Sequence, residues 1–441
     1  MSIHTGKGRG FGHSNRKSQG YGSHGSLFAA AAQKVVNAWA AKQTLNRSPS
    51  SPPTITVGST ANSTINTGQT LAMGGLTPTP SVPDGYSGPC NADSRWVVTK
   101  DASTQVESNR TFAPGNSKLF VFTGQKFDFK AAIVSGKSFT IRWSTDNGLT
   151  WNEVGPTPIG AASCWCLVDF GSAATRVVEV LCEDQLLQTY GFNFDTGAAA
   201  PAAWSYPSNF PLGAMFGDSY VFCQGTDDAA VYTSNKQWAT KGMTRQMAEY
   251  LGFLQIRNHG FRTNGFSNTQ SGVQSKFCDR MDLPLPADHS LSEGLVMGTM
   301  DYVVTPGSIN DNSSAYDATR AADTQAYFTR LRAMQPNALI VFPVGMTPPQ
   351  SSQSATWLAD CKTGFNAVFG STPSQWIANG AFFLDGSRAT GANWIPSGAT
   401  GSSAYYPGTG DITHPNATGH AFAAQKYGDA LLYLAQQVLL L

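Results

Sequence analysis

Beyond Pro201 the chain alternates between two hydrophobic periods, and this constrains its fold more than any other feature of the sequence. Short apolar runs at Leu212–Phe216, Phe253–Ile256, Tyr302–Thr305, Leu339–Val344 and Phe382–Leu384 read as buried strands. Amphipathic stretches near 236–251, 313–334, 355–369 and 417–440 separate them as helices. Strand and helix in succession predict a parallel sheet with crossover helices on its faces, an α/β domain over 204–441. In such sheets the chemistry gathers on loops leaving the carboxyl ends of the strands.

The preceding region follows another rule. From about Cys90 to Gly197 the period is two, with segments Lys118–Thr123, Lys137–Trp143, Trp165–Phe170 and Arg176–Leu181 separated by turn residues. Several short strands at this spacing predict an antiparallel, jelly-roll-like β-sandwich over 86–203. Within it, Ser144-Thr-Asp-Asn-Gly-Leu-Thr-Trp151 has the Asp-box pattern S-x-D-x-G-x-T-W. Its physics is that of a hairpin: the Asp side chain ties the turn, Gly148 permits it and Trp151 packs beneath. Propellers such as sialidases carry several boxes and this chain has one, so it reads as structural. A carbohydrate-binding face on this domain is compatible with the sequence, but no residue locates it.

Charge excludes several classes. The 441 residues hold 29 Lys+Arg against 28 Asp+Glu, and charged residues are 13% of the chain, about half the usual share of roughly 25%. A near-neutral chain is not a globally basic nucleic-acid binder, and no apolar run is long enough to span a membrane. The balance hides an asymmetry: Met1 to Pro83 has no Asp or Glu, while Lys7, Arg9, Arg16, Lys17, Lys34, Lys42 and Arg47 are basic. The first 26 residues are too poor in apolar side chains to fold alone, and a mostly disordered arm is expected. In Leu27–Leu45, Phe28, Ala31, Ala32, Val35 and Trp39 recur at helical spacing behind the candidate N-cap Ser26. This helix reads as a surface helix, as a docking peg for a larger assembly, or as a targeting helix or polyanion contact. Gln33, Lys34 and Lys42 interrupt it, so no signal peptide is recognised. The organisation is then an arm with an anchoring helix (1–47), a Ser/Thr/Pro-rich linker (48–85), the β domain (86–203) and the α/β domain (204–441). Seven cysteines without zinc spacing, of which Cys164 and Cys166 would share a strand face, argue against a structural metal site and leave the redox compartment open.

The motifs carrying chemistry lie at the expected strand ends. Phe216-Gly-Asp-Ser-Tyr220 follows the first strand, Asn258-His-Gly260 the second and Gly307-Ser-Ile-Asn-Asp311 the third. Asp411-Ile-Thr-His-Pro415 precedes Gly419-His420 and the last helix. In this order the four blocks resemble the SGNH (GDSL-type) hydrolase family, over roughly 204–441. The resemblance implies a flavodoxin-like three-layer fold, with Ser219 as nucleophile, His414 as general base and Asp411 as its orienting acid. It also implies an oxyanion hole made by the backbone N–H groups of Ser219 and Gly260 and the side-chain amide of Asn310, with Gly265 as the alternative glycine. His420 stands where the family has a structural histidine, and Tyr220, where Leu or Ile is common, is expected at a substrate-facing edge.

The function expected is a serine esterase, a carbohydrate O-acetylesterase acting on an acylated polysaccharide. Trp394, Tyr405 and Tyr406, in a Gly/Ser-rich loop before the acid–base block, are candidates for stacking on sugar rings, and ordinary loop packing is the alternative. No metal or other cofactor is required. The acid-free arm resembles the docking segments of phage tail or fibre proteins, which implies an extracellular or virion-associated enzyme and allows a homo-oligomer. The competing expectation is a non-catalytic virion or fibre component that uses the same fold to bind glycan.

Overall fold

The computed structural model describes residues 14–58, 65–66, 117–132, 137–160, 163–183, 188–195, 202–204, 207–221, 239–254, 256–260, 265–269, 276–280, 300–344, 356–385 and 414–441. The chain opens with helix α1 (Ser14–Ala40). Strands β1 (Thr44–Asn46), β2 (Thr54–Gly58), β3 (Ile65–Asn66), β4 (Ser117–Ala132), β5 (Lys137–Ser144), β6 (Thr150–Ile159), β7 (Ser163–Cys182), β8 (Gln188–Asp195) and β9 (Ala202–Ala203) follow. The second half runs β10 (Gly213–Gly217), α2 (Met243–Leu251), β11 (Arg257–Gly260), α3 (Phe277–Arg280), β12 (Tyr302–Val304), α4 (Arg320–Met334), β13 (Leu339–Val344), α5 (Trp357–Phe369), α6 (Pro373–Ala378), β14 (Ala381–Asp385) and α7 (Ala417–Val438).

The α/β half is the parallel sheet that the alternation predicts. Its order is β11-β10-β12-β13-β14, with every neighbouring pair parallel. Alternate strand residues feed two cores. Met215, Val304, Leu339 and Val341 share one with α1, α2 and α7, while Phe216, Val303, Ile340 and Phe342 share the other with α4 and α5. The three layers of an SGNH-hydrolase-like fold follow from this strand alternation. One strand differs from its expected place. Phe253, Leu254 and Ile256 are buried outside the described strand pairing, and the pairing strand is Arg257–Gly260, which follows. Phe253 and Ile256 pack into the helix-side core, and Leu254 joins a separate apolar cluster with Trp151 and Trp204. An edge strand is held by the ladder on one side alone and can afford polar side chains.

The first half forms one nine-stranded sheet, antiparallel except where β1 pairs with β6. Strands β4 and β7 run its full length and shift register between Gly124 and Lys126. Phe120 and Phe122 before the shift and Phe127 and Phe129 after it all enter the same core. Phe120 and Phe127 meet edge-on, with centroids 5.6 Å apart. The described pairing joins the expected strands into a single sheet, and the two separate face-packed layers of a sandwich are not seen in it. The Asp-box segment is the hairpin expected: Asp146 accepts from Leu149 N, Thr150 N and Thr150 Oγ1 at 3.0, 2.8 and 2.6 Å. Trp151 is buried and donates to Gly148 O at 2.9 Å. Cys164 and Cys166 do share a face, their sulfurs 3.9 Å apart in the core.

Helix α1 does not stand out from the molecule. Phe28, Ala31, Ala32, Val35 and Ala38 are buried in the core shared by α2 and α7, and Lys34 pairs with Asp301 at 3.0 Å. The apolar stripe that the docking-peg alternative would need exposed is therefore consumed inside the chain. Side chains of residues 1–26, which make up the basic arm, lie outside the described residues, as does most of the linker. From α1 the chain crosses directly to the β sheet, Gln43 N donating to Gly252 O at 2.8 Å just before β1.

The two halves meet through buried charge. Arg142 of β5 is fully buried and reaches Glu153 of β6 at 2.6 Å, Glu249 of α2 at 2.9 Å and Glu179 of β7 at 3.7 Å. Arg245 of α2 adds a 3.1 Å pair to Glu179, and Arg47 bridges Glu153 and Glu249. Burial alone would weaken the charge on Arg142, but Glu153, Glu249 and Glu179 hold its proton more tightly than usual. Among the described residues no helix is long and apolar enough to cross a membrane.

Candidate active site

The site grows from the end of β10. Gly217 closes the strand where a Cβ would meet Val221 Cγ2 at 2.5 Å, so only glycine permits the tight turn that follows. Asp218 and Ser219 come next, 2% and 4% exposed. Asp218 faces inward: its two oxygens accept the N–H groups of Tyr220 and Ile309, both at 3.0 Å. Its burial pushes the carboxyl up to about 6, against those hydrogen bonds and that of Ser308. Ser219 is thereby fixed on a turn braced from the loop after β12.

That loop is built around two short side chains. Ser308 caps the 3-10 turn Ile309–Asp311 by accepting from Asn310 N at 3.1 Å. The Asp311 carboxylate accepts from Phe266 N, Ser267 N and Asn268 N at 2.6, 3.0 and 2.8 Å. Residues 265–268 are thus wrapped around the residue that follows Asn310. Fully buried Arg320 supports the same turn, donating to the carbonyls of Asp311 and Ser313 and pairing with Asp360 at 2.6 Å.

From the other side comes His414, three residues ahead of α7. Its Nε2 lies 2.8 Å from Ser219 Oγ. Asn416 caps α7 through Gly419 N at 2.9 Å, which fixes the approach of the preceding loop. His420 is fully buried, and its Nδ1 accepts from Met243 N at 3.3 Å, tying α7 to the start of α2. In that bond Nδ1 is an acceptor, so the neutral ring carries its proton on Nε2.

The expected residues fare differently in the structure. Ser219 and His414 come into hydrogen-bonding contact, and Asn310 stands in the turn that braces Asp218. Gly260 ends β11 opposite Gly217, but its N–H already donates to Asn258 Oδ1 at 2.9 Å. Gly265, the alternative glycine, lies against Asp311, where a Cβ would fall 2.3 Å from the carboxylate; its N–H meets Asn268 O at 3.2 Å. Tyr220 corrects the expectation of a substrate-facing edge: it is 2% exposed, because the turn directs its ring down into the core. Asp411, Trp394, Tyr405 and Tyr406 lie outside the described residues. The structural carboxylates Asp218 and Asp311 are working parts that the motifs alone do not single out, although both stand inside the Gly-Asp-Ser and Gly-Ser-Ile-Asn-Asp blocks. Their signal was an acidic residue beside a small or amide side chain at a strand end. Among the described residues no group of three or more His, Cys, Asp or Glu is placed to hold a metal ion.

A serine hydroxyl on an imidazole nitrogen, at the carboxyl end of a parallel sheet and amid buried backbone donors, defines a site for nucleophilic acyl transfer. In agreement, residues 215–422 match the model of the GDSL-like lipase/acylhydrolase family. No curated protein sequence matches the chain. Solved structures with this fold include a family two carbohydrate esterase from Clostridium thermocellum in complex with cellohexaose, at 17% identity over 73% of this chain and 92% of that one, with a TM-score of 0.50. A family two carbohydrate esterase from Cellvibrio japonicus matches at 16% identity, 74% and 91% coverage and a TM-score of 0.51. An acetyl xylan esterase from the rumen bacterium Butyrivibrio proteoclasticus matches at 15% identity, 72% and 89% coverage and a TM-score of 0.50. These shares exceed what residues 204–441 make up, so the likeness takes in part of the chain that precedes them.

Proposed function

We propose that the chain is a serine esterase that removes O-acetyl groups from a polysaccharide, with Ser219 as nucleophile and His414 as base. The observation that carries this reading is the 2.8 Å contact between Ser219 Oγ and His414 Nε2 on a turn whose backbone is braced on both sides. In the acylation step Ser219 Oγ attacks the ester carbonyl and its proton passes to Nε2 of His414. The tetrahedral oxyanion is met by the Ser219 N–H and the Asn310 amide, and a donor of this kind typically contributes about 100- to 1,000-fold in turnover. Collapse breaks the bond to the sugar oxygen, which leaves with the proton from His414. Water then gives its proton to His414, attacks the acyl carbon and releases acetate, restoring the serine.

The third oxyanion donor is the backbone N–H of a glycine, Gly260 or Gly265, and either must give up its present partner as substrate binds. Asp411, three residues before His414, is assigned the task of orienting the imidazole. The polysaccharide substrate is supported by the fold shared with carbohydrate esterases; Trp394, Tyr405 and Tyr406 are assigned to the sugar. The test is hydrolysis of p-nitrophenyl acetate and butyrate by the wild type beside Ser219→Ala, followed by acetate release from acetylated polysaccharides. Saturable, acetate-preferring turnover that disappears in the variant supports the reading. Equal rates in both proteins would overturn it.

A further inference from the structure

We propose that Asp218 is a positioning residue that acts through Asn310, its carboxylate holding the oxyanion donor in a fixed place beside Ser219; this rests on the esterase reading above. Strand pairing alone does not set that relation. The ladder between β10 and β12 ends at Met215 and Val304, and Ser219 and Asn310 lie four and six residues further on. Past Val304 the described backbone bonds run to β13, Thr305 N donating to Val341 O at 2.9 Å and Gly307 N to Pro343 O at 2.6 Å. Nucleophile and donor therefore sit on turns that the β10–β12 ladder no longer registers against each other.

Asp218 spans that gap. Its Oδ1 accepts from Tyr220 N, one residue past the nucleophile, and its Oδ2 from Ile309 N, one residue before the donor, both at 3.0 Å. The Ser308 hydroxyl donates to the same carboxylate, and its oxygen accepts from Asn310 N at 3.1 Å. One buried side chain thus grips the nucleophile turn at one point and the donor turn at two. An ionised carboxylate accepts at both oxygens, which is what these facing donors require. Asp218→Asn keeps one acceptor oxygen and presents an NH2 group in place of the other, so it serves one turn and releases the other. The carboxylate is buried away from substrate, so its loss must appear in turnover rather than in substrate binding.

The experiment is a double-mutant cycle of Asp218→Asn with Asn310→Ala on p-nitrophenyl acetate at pH 8, where a carboxyl that titrates at about 6 is ionised. Wild type, Ser219→Ala and Ser308→Ala are measured beside it, with thermal melts of every protein. Asp218→Asn alone is expected to lose roughly 10- to 100-fold in kcat with KM changed by less than about twofold, the scale of a misplaced group. In the Asn310→Ala background the same substitution is expected to cost no more than about twofold, because the donor it positions is gone. Ser308→Ala removes one of the two grips on the donor turn and is expected to lose roughly 3- to 10-fold in kcat. That loss too should vanish in the Asn310→Ala background, and it carries the test if the melts show Asp218→Asn to be unfolded. Full kcat in the single variants, a loss carried by KM, or losses that simply multiply with that of Asn310→Ala would each overturn the proposal. A wild type no faster than Ser219→Ala would instead remove the esterase reading beneath it, so the two failures are distinguishable.

Discussion

Arg142→Met tests whether the β sheet and the hydrolase domain are one cooperative body. The side chain to be removed is fully buried and lies 2.6, 2.9 and 3.7 Å from Glu153, Glu249 and Glu179. Met matches its length and restores the packing of its stem, so the substitution isolates the charge. What remains is three carboxylates facing two arginines, Arg47 on the rim and Arg245 on α2. Breaking one buried pair by removing one partner costs about 3–5 kcal/mol, because the other charge is left uncompensated. At about 2–4 °C per kcal/mol for domains of this size, the melting temperature should fall by roughly 6–20 °C. The assay is differential scanning calorimetry at pH 7, with residual esterase activity measured after heating. Because Glu249 belongs to the hydrolase domain while Glu153 and Glu179 belong to the sheet, both signals should move together. Adding Glu153→Gln to Arg142→Met should recover part of the loss by removing one stranded charge. A drop below about 1 kcal/mol, or a calorimetric transition that moves while thermal inactivation does not, would refute the reasoning.

Two further substitutions probe the site itself. Gly265→Ala drives a Cβ to 2.3 Å from the Asp311 carboxylate, so the loop around that residue must shift; a loss of about 1–3 kcal/mol and a fall in kcat are expected, read by thermal melts and steady-state kinetics. Asp218 titrates at about 6 in the folded protein against 3.8 for the ordinary group, so the native state holds a proton that the unfolded chain has already released. The contribution of Asp218 to stability is then fullest below pH 4 and is lost as pH rises to about 6. Relative to wild type, Asp218→Asn should gain over that window, by at most about 3 kcal/mol at 1.4 kcal/mol per unit. Urea melts at half-unit steps from pH 4 to 7 give the difference directly, and a flat or falling difference counts against the buried acid.

How much of this was legible from the sequence depended on whether a residue's partner is local. Strands β10, β12 and β13 were readable because both faces of a central parallel strand are buried and the apolar run is therefore unbroken. The Asp box was readable because Asp146 bonds to groups three and four residues away. Strand β11 differs from the expected place because an edge strand needs no apolar run, while the apolar residues before it are buried without pairing, Phe253 and Ile256 in the helix-side core and Leu254 against Trp151 and Trp204. Ser219 and His414 were legible as motifs, but their contact spans 195 positions and only the fold brings them together. Tyr220 shows the limit of reading by neighbourhood: adjacency to Ser219 suggests contact with substrate, yet its ring is buried in the core and packs against His414.

Helix α1 carries the same lesson to the organisation of the whole chain. An amphipathic helix behind an acid-free, Gly-rich arm announces an apolar stripe but says nothing about what covers it. Here the cover is the chain's own α7 and α2, with Lys34 on Asp301 and Phe28 against Gly380 and the Arg332 guanidinium. The consequence reaches the proposed chemistry. His414 leads directly into α7, and α7 is held on one side by α1 and on another by the Met243–His420 bond of α2. Residues more than 370 positions before His414 therefore belong to the framework that positions it. A truncation meant to shed only a docking arm has to stop before Phe28, because from that residue on the side chains of α1 are buried in the core that α2 and α7 share behind His414.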